Sequence, residues 1–511
     1  MNKRPNLLLI TTDQQRWDSF SLYGTPGYKT PVLDRLAKEG LCFTRTYTSS
    51  PICTPARVSL LTGQYPSRHG AFTIGTPHVP ALDDPTVATR LGEAGYSTAL
   101  IGKTHFVARF MEQTHIAGVK DVIGEMPEDF WRNFDGPYEG FDYIRHCAAH
   151  TNDRLPDGHY GVWMKDKGVE IEKYFRQGED TLDCVSRIGA WDLDHELTQN
   201  AWIVEESVDW IEQQREQEKP WFCWASIQDP HAPYVCPEPY FSDVDMTGVE
   251  TGGYIEGEFE NKPPFYRHFM NGEYWRDDER KFFYEGTGVP HCTGYERNAD
   301  PKTSIQAYIG MVNMIDDYMG KLVAYLEKTD QLDNTLIIFT SDHGDYLGRH
   351  GFWNKGIAPY DDCQRVPGIV HWPEGMKNRK ERGVTDAFFS LVDIPWTLMD
   401  AAGLERPMGD QGVSQLPVIR GEAQAVREWA LVELDPTWLV SQRTFLYGDY
   451  KMVVYRDADY GELYNMQDDP DQLTNLWDDP DAAAVKSSMM HRLNRANMER
   501  QGQFPPRISN A

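Results

Sequence analysis

The stretch Leu7-Leu8-Leu9-Ile10-Thr11-Thr12-Asp13 decides how the chain folds. An unbroken run of apolar and β-branched residues that ends at an acidic residue is typical of a parallel strand buried on both faces. Similar runs recur along the chain, and segments with helical periodicity separate them. The runs are Leu7–Thr12, Thr98–Ile101, Trp221–Ile227 and Thr335–Thr340. This alternation predicts an α/β fold.

Helices are predicted between these strands. Thr30 and Pro31 are a favourable start for a helix through Lys38, and residues 87–94 and 197–217 have helical periodicity. From Ile305 to Leu326, apolar residues recur every three or four positions, which indicates one long amphipathic helix. We therefore expect a large, mixed but mostly parallel sheet flanked by helices.

Polar residues follow each predicted strand directly. A lone aspartate or histidine after a strand is usually a cap or a structural residue. Several groups of polar residues at the same edge of one sheet are more typical of a functional site. Open α/β sheets bind ligands outside the carboxyl ends of their strands, so we expect these sets to meet in one crevice. The sets are Asp13-Gln14, Gly102-Lys103-Thr104-His105, Asp229-Pro230-His231 and Asp342-His343-Gly344-Asp345.

A cysteine, a proline and an arginine at every second position form a further motif in Ser50-Pro51-Ile52-Cys53-Thr54-Pro55-Ala56-Arg57. Thr54 is a favourable N-cap and Pro55 suits a first helical position, so a helix is predicted to start here with its positive end at Cys53. Arg57, one turn later, is expected to reach back over Cys53. This arrangement favours an anionic substrate and an activated nucleophile. Taken alone, such a cysteine is more often a packed core residue.

The charge of the chain limits its partners. It has 511 residues, with 50 lysines and arginines against 78 aspartates and glutamates, and its formal net charge is −28 at pH 7. This charge argues against nucleic-acid and anionic-membrane partners, because phosphates recruit basic surfaces. An anionic substrate must therefore be attracted by a locally basic pocket. No apolar stretch has the length of a membrane-spanning helix.

Cellular location is predicted from the first residues and from the cysteines. Residues 1–13 reach an aspartate too early for the apolar region of an export signal. The eight cysteines are scattered without a Cys-x-x-Cys pair, which argues against a zinc knuckle or a dense disulfide framework. We therefore expect reduced thiols in a cytoplasmic protein, and a periplasmic location only if an export signal has been removed from the sequence.

By its motifs the chain resembles the type I, formylglycine-dependent sulfatases of the alkaline phosphatase superfamily. The likeness runs nearly end to end and implies an alkaline phosphatase-like fold. The motifs that carry it are Cys53-x-Pro55-x-Arg57 continuing into Ser59-Leu60-Leu61-Thr62-Gly63, Gly102-Lys103-x-His105, Asp229-Pro230-His231-x-Pro233, Ser341-Asp342-His343-Gly344 and Glu462-Leu463-Tyr464-Asn465.

The resemblance implies one divalent metal ion. Its ligands would be Asp13, Gln14, Cys53 in modified form, Asp342 and His343. Many sulfatases have a second aspartate in place of Gln14 and an asparagine in place of His343. Carboxylates and amide oxygens favour Ca²⁺, our first choice, whereas the imidazole widens tolerance towards Mn²⁺, our second.

The resemblance also implies a mechanism. A formylglycine-generating enzyme would oxidise Cys53 to formylglycine (3-oxoalanine), and the hydrated aldehyde, held by the metal and Arg57, would attack the sulfur atom of an anionic sulfate monoester. Lys103 and Lys355 would neutralise the sulfate oxygens. His231, together with Lys355, would protonate the leaving alcohol, and His105 would take the proton that releases sulfate. We expect a carbohydrate sulfate as substrate, with an aryl or small alkyl sulfate as the alternative.

Two other functions compete with this one. A phosphonate monoester or phosphodiester hydrolase of the same superfamily shares the cysteine motif, and Gln14 and His343 favour it. Lys103 and His105 resemble the sulfatase pattern instead, whereas the phosphonate hydrolases have a tyrosine and a threonine in the equivalent segment. A more remote alternative is a non-catalytic protein that binds sulfated glycans.

The resemblance divides the chain into two regions. Residues 1–400 would form the catalytic domain, with insertions at about 107–200 and 237–301, and residues 401–511 a smaller α+β subdomain. Antiparallel strands are predicted at 432–434, 443–447 and 451–455, with a final helix at 482–498. This subdomain would complete a wall of the pocket or an interface in a homo-oligomer. Aromatic side chains of the insertions would either contact sugars or pack against the body; examples are Trp131, Tyr160, Tyr266 and Trp275.

Overall fold

The computed structural model describes residues 4–74, 76, 79–106, 126–147, 156, 158–175, 188–270, 293–294, 300–435, 441–456 and 458–501. Its strands are β1 (Asn6–Thr12), β2 (Leu41–Tyr47), β3 (Ser97–Lys103), β4 (Tyr143–Cys147), β5 (Gly189–Trp191), β6 (Trp221–Ser226), β7 (Val235–Pro237), β8 (Thr293–Gly294), β9 (Thr335–Ser341), β10 (Phe352–Trp353), β11 (Gly368–His371), β12 (Gly383–Ser390), β13 (Trp429–Leu434), β14 (Gln442–Tyr447), β15 (Tyr450–Tyr455) and β16 (Gly461–Asn465).

The helices separate most of these strands. They are α1 (Pro31–Glu39), α2 (Cys53–Thr62), α3 (Pro66–His69), α4 (Val87–Glu93), α5 (Glu128–Asn133), α6 (Gly158–Asp166), α7 (Ile171–Tyr174), α8 (Gln199–Glu216), α9 (Phe265–Met270), α10 (Pro301–Lys328), α11 (Asp361–Gln364), α12 (Asp393–Ala401), α13 (Leu416–Arg420) and α14 (Ala483–Glu499). No helix among the described residues is long and apolar enough to cross a membrane.

One large sheet organises the described part of the chain. Its eight strands have the order β12-β2-β11-β9-β1-β6-β3-β4. Neighbouring strands are parallel except at β11, which is antiparallel to both β9 and β2. The four strands predicted from the sequence are β9, β1, β6 and β3, which lie side by side. The predicted mixed, mostly parallel sheet is therefore confirmed.

Helices cover both faces of this sheet, and β1 shows why. Leu7 and Leu9 point to the face that packs on α2, α4 and α12. Leu8 and Ile10 point to the other face, which packs on α1, α8 and α10. Because alternate residues of a strand face opposite sides, a strand in this position must be apolar throughout.

A second, smaller sheet follows in the C-terminal region. Its strands β13, β14, β15 and β16 form an antiparallel meander. Helix α14 packs on it through Met489, Leu493 and Ala496. The predicted antiparallel sheet and final helix are confirmed, although β16 lies in a stretch that the sequence did not predict as a strand. The domain boundary near residue 400 stays a prediction.

Candidate active site

Residues that follow different strands meet at the carboxyl edge of the large sheet. Asp13 follows β1, Lys103 ends β3, His231 lies after β6 and Asp342 follows β9. All four are buried. Asp13 and Asp342 lie beside Cys53, Lys103 contacts Asp13, and His231 is joined to Cys53 through Lys355, so the structure brings together residues that are up to 329 positions apart in sequence.

The helix that carries Cys53 starts earlier than the sequence predicted. Helix α2 begins at Cys53 itself, and Ile52 is the N-cap, without a side-chain cap hydrogen bond. The prediction of Thr54 as N-cap and Pro55 as first helical position is therefore wrong. The hydroxyl of Thr54 is buried and has no hydrogen-bond partner among the described residues. The extended backbone of Ile52 supplies the turn into the helix, and Cys53 still lies at its positive end.

The thiol of Cys53 is completely buried among charged groups. Its Sγ atom lies 3.0 Å from Nζ of Lys355, 3.2 Å from Nε2 of His343 and 3.8 Å from Oδ1 of Asp13. Burial and the Asp13 charge alone would raise the pKa of Cys53. The cationic charges of Lys355 and Lys103 outweigh them and lower that pKa below its usual value.

Arg57 contacts the carboxylates that surround Cys53. Its Nε donates to Oδ2 of Asp342 over 2.8 Å, and Nη2 lies 3.5 Å from Oδ2 of Asp13. Its Nη1 donates to the hydroxyl of Ser226 over 2.7 Å. Burial alone would lower the pKa of Arg57, but the charges of Asp342 and Asp13 raise it. Arg57 is therefore a permanent cation that fixes both carboxylates.

Lys103 reaches across the sheet to Asp13. Its ammonium group donates to Oδ2 of Asp13, and both side chains are fully buried. Burial alone would raise the pKa of Asp13, yet the charges of Lys103, Lys355 and Arg57 hold it well below its usual range. Asp13 is consequently ionised and is available as a metal ligand.

Lys355 joins Cys53 to His231. Its Nζ lies 3.0 Å from Sγ of Cys53 and 2.7 Å from Nε2 of His231. An ammonium group has no acceptor, so Nε2 of His231 must accept this hydrogen bond. The proton of the ring then sits on Nδ1, which donates to the backbone oxygen of Ala232 over 2.6 Å. Burial and the Lys355 charge hold the pKa of His231 well below its usual range, which agrees with a neutral imidazole.

His105 lies two residues beyond the end of β3, in a left-handed backbone conformation with φ of 55°. Its Nδ1 atom is buried and has no hydrogen-bond partner among the residues that the structure describes. Burial, followed by the charges of Lys103 and Arg57, holds the pKa of His105 well below its usual range. A neutral imidazole with an unused nitrogen is suited to accept a proton.

Four side chains could hold a metal ion together. Ligand atoms of Asp13, Cys53, Asp342 and His343 all lie within 4.8 Å of one another, and all four residues are buried. Nδ1 of His343 donates to the backbone oxygen of Gly344 over 2.9 Å, so Nε2, which faces Cys53, is the nitrogen that could bind a cation. Carboxylate oxygens and an imidazole fit a divalent cation of the Ca²⁺ or Mn²⁺ type.

Gln14, the fifth predicted ligand, adjoins this cluster. Its backbone has a left-handed conformation with φ of 68°, and its N–H donates to Oδ1 of Asp342 over 3.2 Å. Its Nε2 donates to Oδ2 of Asp345 over 2.7 Å, while Oε1 accepts from Lys355 over 3.1 Å. The carbonyl oxygen therefore faces the same charged cluster as Cys53.

Sequence reasoning did not single out some residues that support the site. Tyr234 donates to Oδ2 of Asp345 over 2.7 Å, and Asn354 accepts from Gln14 over 3.3 Å. Ser226, the last residue of β6, accepts from Arg57. Asp345 ends the predicted polar run Asp342-His343-Gly344-Asp345, but no signal in the sequence indicates what Tyr234, Asn354 or Ser226 contact.

The aromatic residues of the insertions mostly pack inside the protein. Tyr160 and Tyr266 are fully buried. Trp131 is half-buried, and its ring stacks on His146 with centroids 5.1 Å apart. Trp275 lies outside the described residues. For Tyr160 and Tyr266 the packing alternative is therefore correct.

The family of the chain follows from comparison with known proteins. Residues 5–404 match the family model described as Sulfatase. The chain is a member of the sulfatase family. Residues 348–499 of this sulfatase also match the model described as N-sulphoglucosamine sulphohydrolase, C-terminal. The predicted resemblance is thus confirmed, and the enzyme is a sulfuric ester hydrolase.

Relatives of this sulfatase match most of its length. It is 27% identical to N-acetylglucosamine-6-O-sulfatase of Bacteroides thetaiotaomicron, over 92% of this chain and 82% of the relative. It is similar to the solved structure of phosphonate monoester hydrolase SpPMH from Silicibacter pomeroyi, with a TM-score of 0.77, 24% identity and 99% and 98% of the two chains covered. A solved complex with D-glucosamine-2-N,6-O-disulfate has a TM-score of 0.70, 21% identity and 98% of each chain covered. These structures confirm the fold.

Proposed function

We propose that this sulfatase hydrolyses a carbohydrate sulfate monoester to an alcohol and inorganic sulfate, with formylglycine derived from Cys53. The observation that carries the proposal is the position of Lys355, which lies 3.0 Å from Sγ of Cys53 and 2.7 Å from Nε2 of His231. One cation thus adjoins both the reacting side chain and a neutral imidazole. Such a pair can bind an anion and move a proton within one site.

The charges of the site suit a sulfate group. When present, a divalent cation and the hydrated aldehyde would supply an acidified hydroxyl as nucleophile and a second hydroxyl for sulfate release. Lys103 and Lys355 are buried cations that can neutralise sulfate oxygens in a region of low dielectric, where such contacts are strong. Arg57 is held by Asp342 and Asp13, so it orients these carboxylates.

Proton transfer to the leaving alcohol involves Lys355 and His231. In the neutral tautomer described above, Nε2 of His231 has no proton of its own to give. We propose that Lys355 protonates the departing oxygen directly, or that His231 passes on a proton received from Lys355. His105, with its unused Nδ1 atom, would take the proton from the second hydroxyl as sulfate leaves.

The carbohydrate substrate is inferred from the relatives. N-acetylglucosamine-6-O-sulfatase of Bacteroides thetaiotaomicron, by its name, acts on a sulfated sugar, and it matches 92% of this chain. Ca²⁺ is the metal that we propose first, because Asp13, Asp342 and Gln14 offer oxygen ligands, and Mn²⁺ is second, because His343 offers an imidazole.

A phosphonate monoester or phosphodiester hydrolase is the second candidate. The observation that favours it is Gln14, whose carbonyl faces the charged cluster where many sulfatases have a second aspartate. Both reactions place a tetrahedral oxyanion beside a metal, so activity towards both is expected.

Parallel assays test the two candidates. The purified enzyme, with its metal content measured, would be given a sulfate monoester, a phosphonate monoester and a phosphodiester with the same leaving group. We expect the highest kcat/KM for the sulfate monoester. A higher kcat/KM for the phosphonate would assign the second candidate instead. Desulfation of a panel of defined glycans would then identify the sugar.

A further inference from the structure

A cavity of about 510 Å³ lies between the C-terminal helix α14 and the first residues of β13. Its lining is rich in arginine, although the chain has a net charge of −28. Two glutamates, Glu428 and Glu499, and the rings of Trp429 and Tyr447 also line it. The arginines are Arg406, Arg427, Arg492, Arg495 and Arg500.

This cavity is separate from the candidate active site. Helix α2 starts at Cys53 and ends at Thr62, so it is about 15 Å long. Just beyond its end, the backbone N–H of Tyr65 donates over 2.8 Å to Oε1 of Gln411, a residue of the cavity wall. The cavity therefore adjoins the end of α2 opposite to Cys53.

Three of the arginines are paired with buried carboxylates, and one of them is Arg406, whose Nε lies 3.5 Å from Oδ1 of Asp410. Arg427 donates from Nε to Asp393 over 2.9 Å and contacts it again through Nη2, and Arg500 is paired with Glu433. The carboxylates of Asp393 and Glu433 are fully buried. These carboxylates offset the charges of Arg427 and Arg500 and hold the two side chains in place as part of the cavity wall.

Arg492 and Arg495 are available to a ligand. Arg492 forms no ion pair in the described part of the chain, and its guanidinium lies 3.7 Å from the centre of the Tyr447 ring. Arg495 has a side chain that is 62% exposed, with Nη2 at 3.9 Å from Glu499. An exposed ion pair such as Arg495–Glu499 is weak, so an anion that binds Arg495 competes mainly with water. Arg492 is also pre-oriented by its stacking on Tyr447.

We propose that this cavity binds sulfate groups of a glycan at a distance from the site of hydrolysis. The proposal rests on the proposed carbohydrate sulfate substrate. The guanidinium groups of Arg492 and Arg495 would each donate two hydrogen bonds to a sulfate group, and a sugar ring would pack on the half-buried ring of Trp429. The volume lies within the range of about 300–1,000 Å³ that is usual for ligand sites. Engagement of one long glycan at two sites would raise its effective concentration at Cys53.

Binding of a sulfated oligosaccharide tests the proposal. A fluorescently labelled, heparin-derived hexasaccharide would be titrated with the full chain carrying Cys53→Ala, so that no turnover occurs. In this background, Arg492→Ala with Arg495→Ala is expected to raise Kd at least tenfold. Arg495→Glu alone, at a largely exposed position that leaves the fold intact, is expected to act in the same direction. Arg215→Glu on α8, which packs in a different core cluster, is the matched control and should leave Kd unchanged.

The outcomes separate this proposal from the proposed function. With Cys53 intact, Arg495→Glu should keep kcat/KM for a small sulfate monoester within twofold, and an unsulfated hexasaccharide should not bind. Equal Kd values for all variants overturn the proposal. A DNA oligomer of the same charge that binds equally tightly through Arg495 also overturns it, because the cavity would then bind any polyanion. Failure of the proposed function would instead appear as no sulfate release by the unaltered enzyme, which the binding titration does not measure.

Discussion

The side-chain nitrogen of Gln14 lies 2.7 Å from Oδ2 of Asp345, and this contact fixes the direction of the Gln14 amide. Asp345 is buried and also accepts a hydrogen bond from Tyr234, so its carboxylate is held in one orientation. The carbonyl oxygen of Gln14 is thereby held towards Lys355 and the cluster of predicted metal ligands. Asp345 is a positioning residue for a predicted ligand.

Asp345→Asn should weaken metal binding. Gln14 and Tyr234 share Oδ2 of Asp345, and the backbone N–H of Leu347 uses Oδ1. The NH2 group of an asparagine would therefore oppose either the first two donors or the third, and either clash would disturb the group that fixes the Gln14 amide. Changes of this kind typically cost about 10- to 100-fold in metal affinity. Calorimetric titration of the metal-free protein with Mn²⁺ measures the effect. Asp317→Asn, at an exposed position on α10 that accepts from Tyr240, is the control, and equal affinities for both variants would contradict the prediction.

Cys53→Ala should abolish turnover of every sulfate ester, because the methyl group of alanine cannot be converted to the proposed aldehyde. Cys223→Ala, at another buried cysteine, should remain active. Initial rates with a small sulfate ester test both variants. Mass spectrometry of the peptide that contains Cys53 is expected to show a lower mass than that of the unmodified peptide. Activity of Cys53→Ala close to that of the unaltered enzyme would exclude this nucleophile.

His231→Asn should slow the enzyme more for poor leaving groups than for good ones. An alkyl alcohol needs a proton as it departs, whereas nitrophenolate does not, and proton transfer of this kind contributes about 10²- to 10⁴-fold. We expect a loss in that range with an alkyl sulfate and a much smaller loss with nitrophenyl sulfate. His195→Asn, next to α8, should affect neither substrate. An equal loss for both substrates would show that His231 does not act on the leaving group.

Acid should destabilise the enzyme through His69. This histidine is buried behind α2, where Nδ1 accepts from the backbone of Ala71 and Nε2 contacts the backbone oxygen of Pro55. Burial lowers its pKa from 6.5 to about 3. Because the folded-state pKa lies below the unfolded-state value, the stabilisation is complete above pH 6.5 and is lost as the pH falls towards 3.

The size of this effect follows from the shift. The free energy of unfolding should fall by about 1.4 kcal/mol per pH unit for His69, or about 2 kcal/mol between pH 6.5 and pH 5. Urea unfolding at pH 7 and pH 5 measures how much the free energy of unfolding falls with pH. This fall should be smaller in His69→Gln than in the unaltered protein by about the amount given above. In His491→Gln, at an exposed position, the fall between pH 7 and pH 5 should equal that of the unaltered protein. The same pH dependence in His69→Gln would contradict the prediction.

The strands at the centre of the sheet were predictable, and those at its edges were less so. Strands β9, β1, β6 and β3 are buried except for Ser97 at the start of β3, and such a position requires continuous apolar sequence. Strand β12 lies at the edge, contains exposed residues and has an irregular register between Thr385 and Phe388. Its sequence therefore lacks a clear period.

The site was predictable to the extent that its residues directly follow strands or belong to a family motif. The edge of the sheet explains why Asp13, Lys103 and Asp342 come together. Lys355 was predicted from the family resemblance, yet its contact with His231 depends on loop geometry that has no period. The start of α2 was misplaced because the N-cap residue, Ile52, has an extended backbone and no side-chain cap, so the capping preferences of Thr54 and Pro55 do not report it.

The complete burial of Cys53 has a consequence for biosynthesis. A modifying enzyme must hold its target in its own active site, and it cannot do so with a thiol enclosed by a finished sheet and helix. The oxidation that we propose for this residue would therefore have to take place on the nascent or unfolded polypeptide, ahead of folding. Enzyme that folded before this encounter would stay inactive, and the yield of active protein would then depend on the relative rates of oxidation and folding.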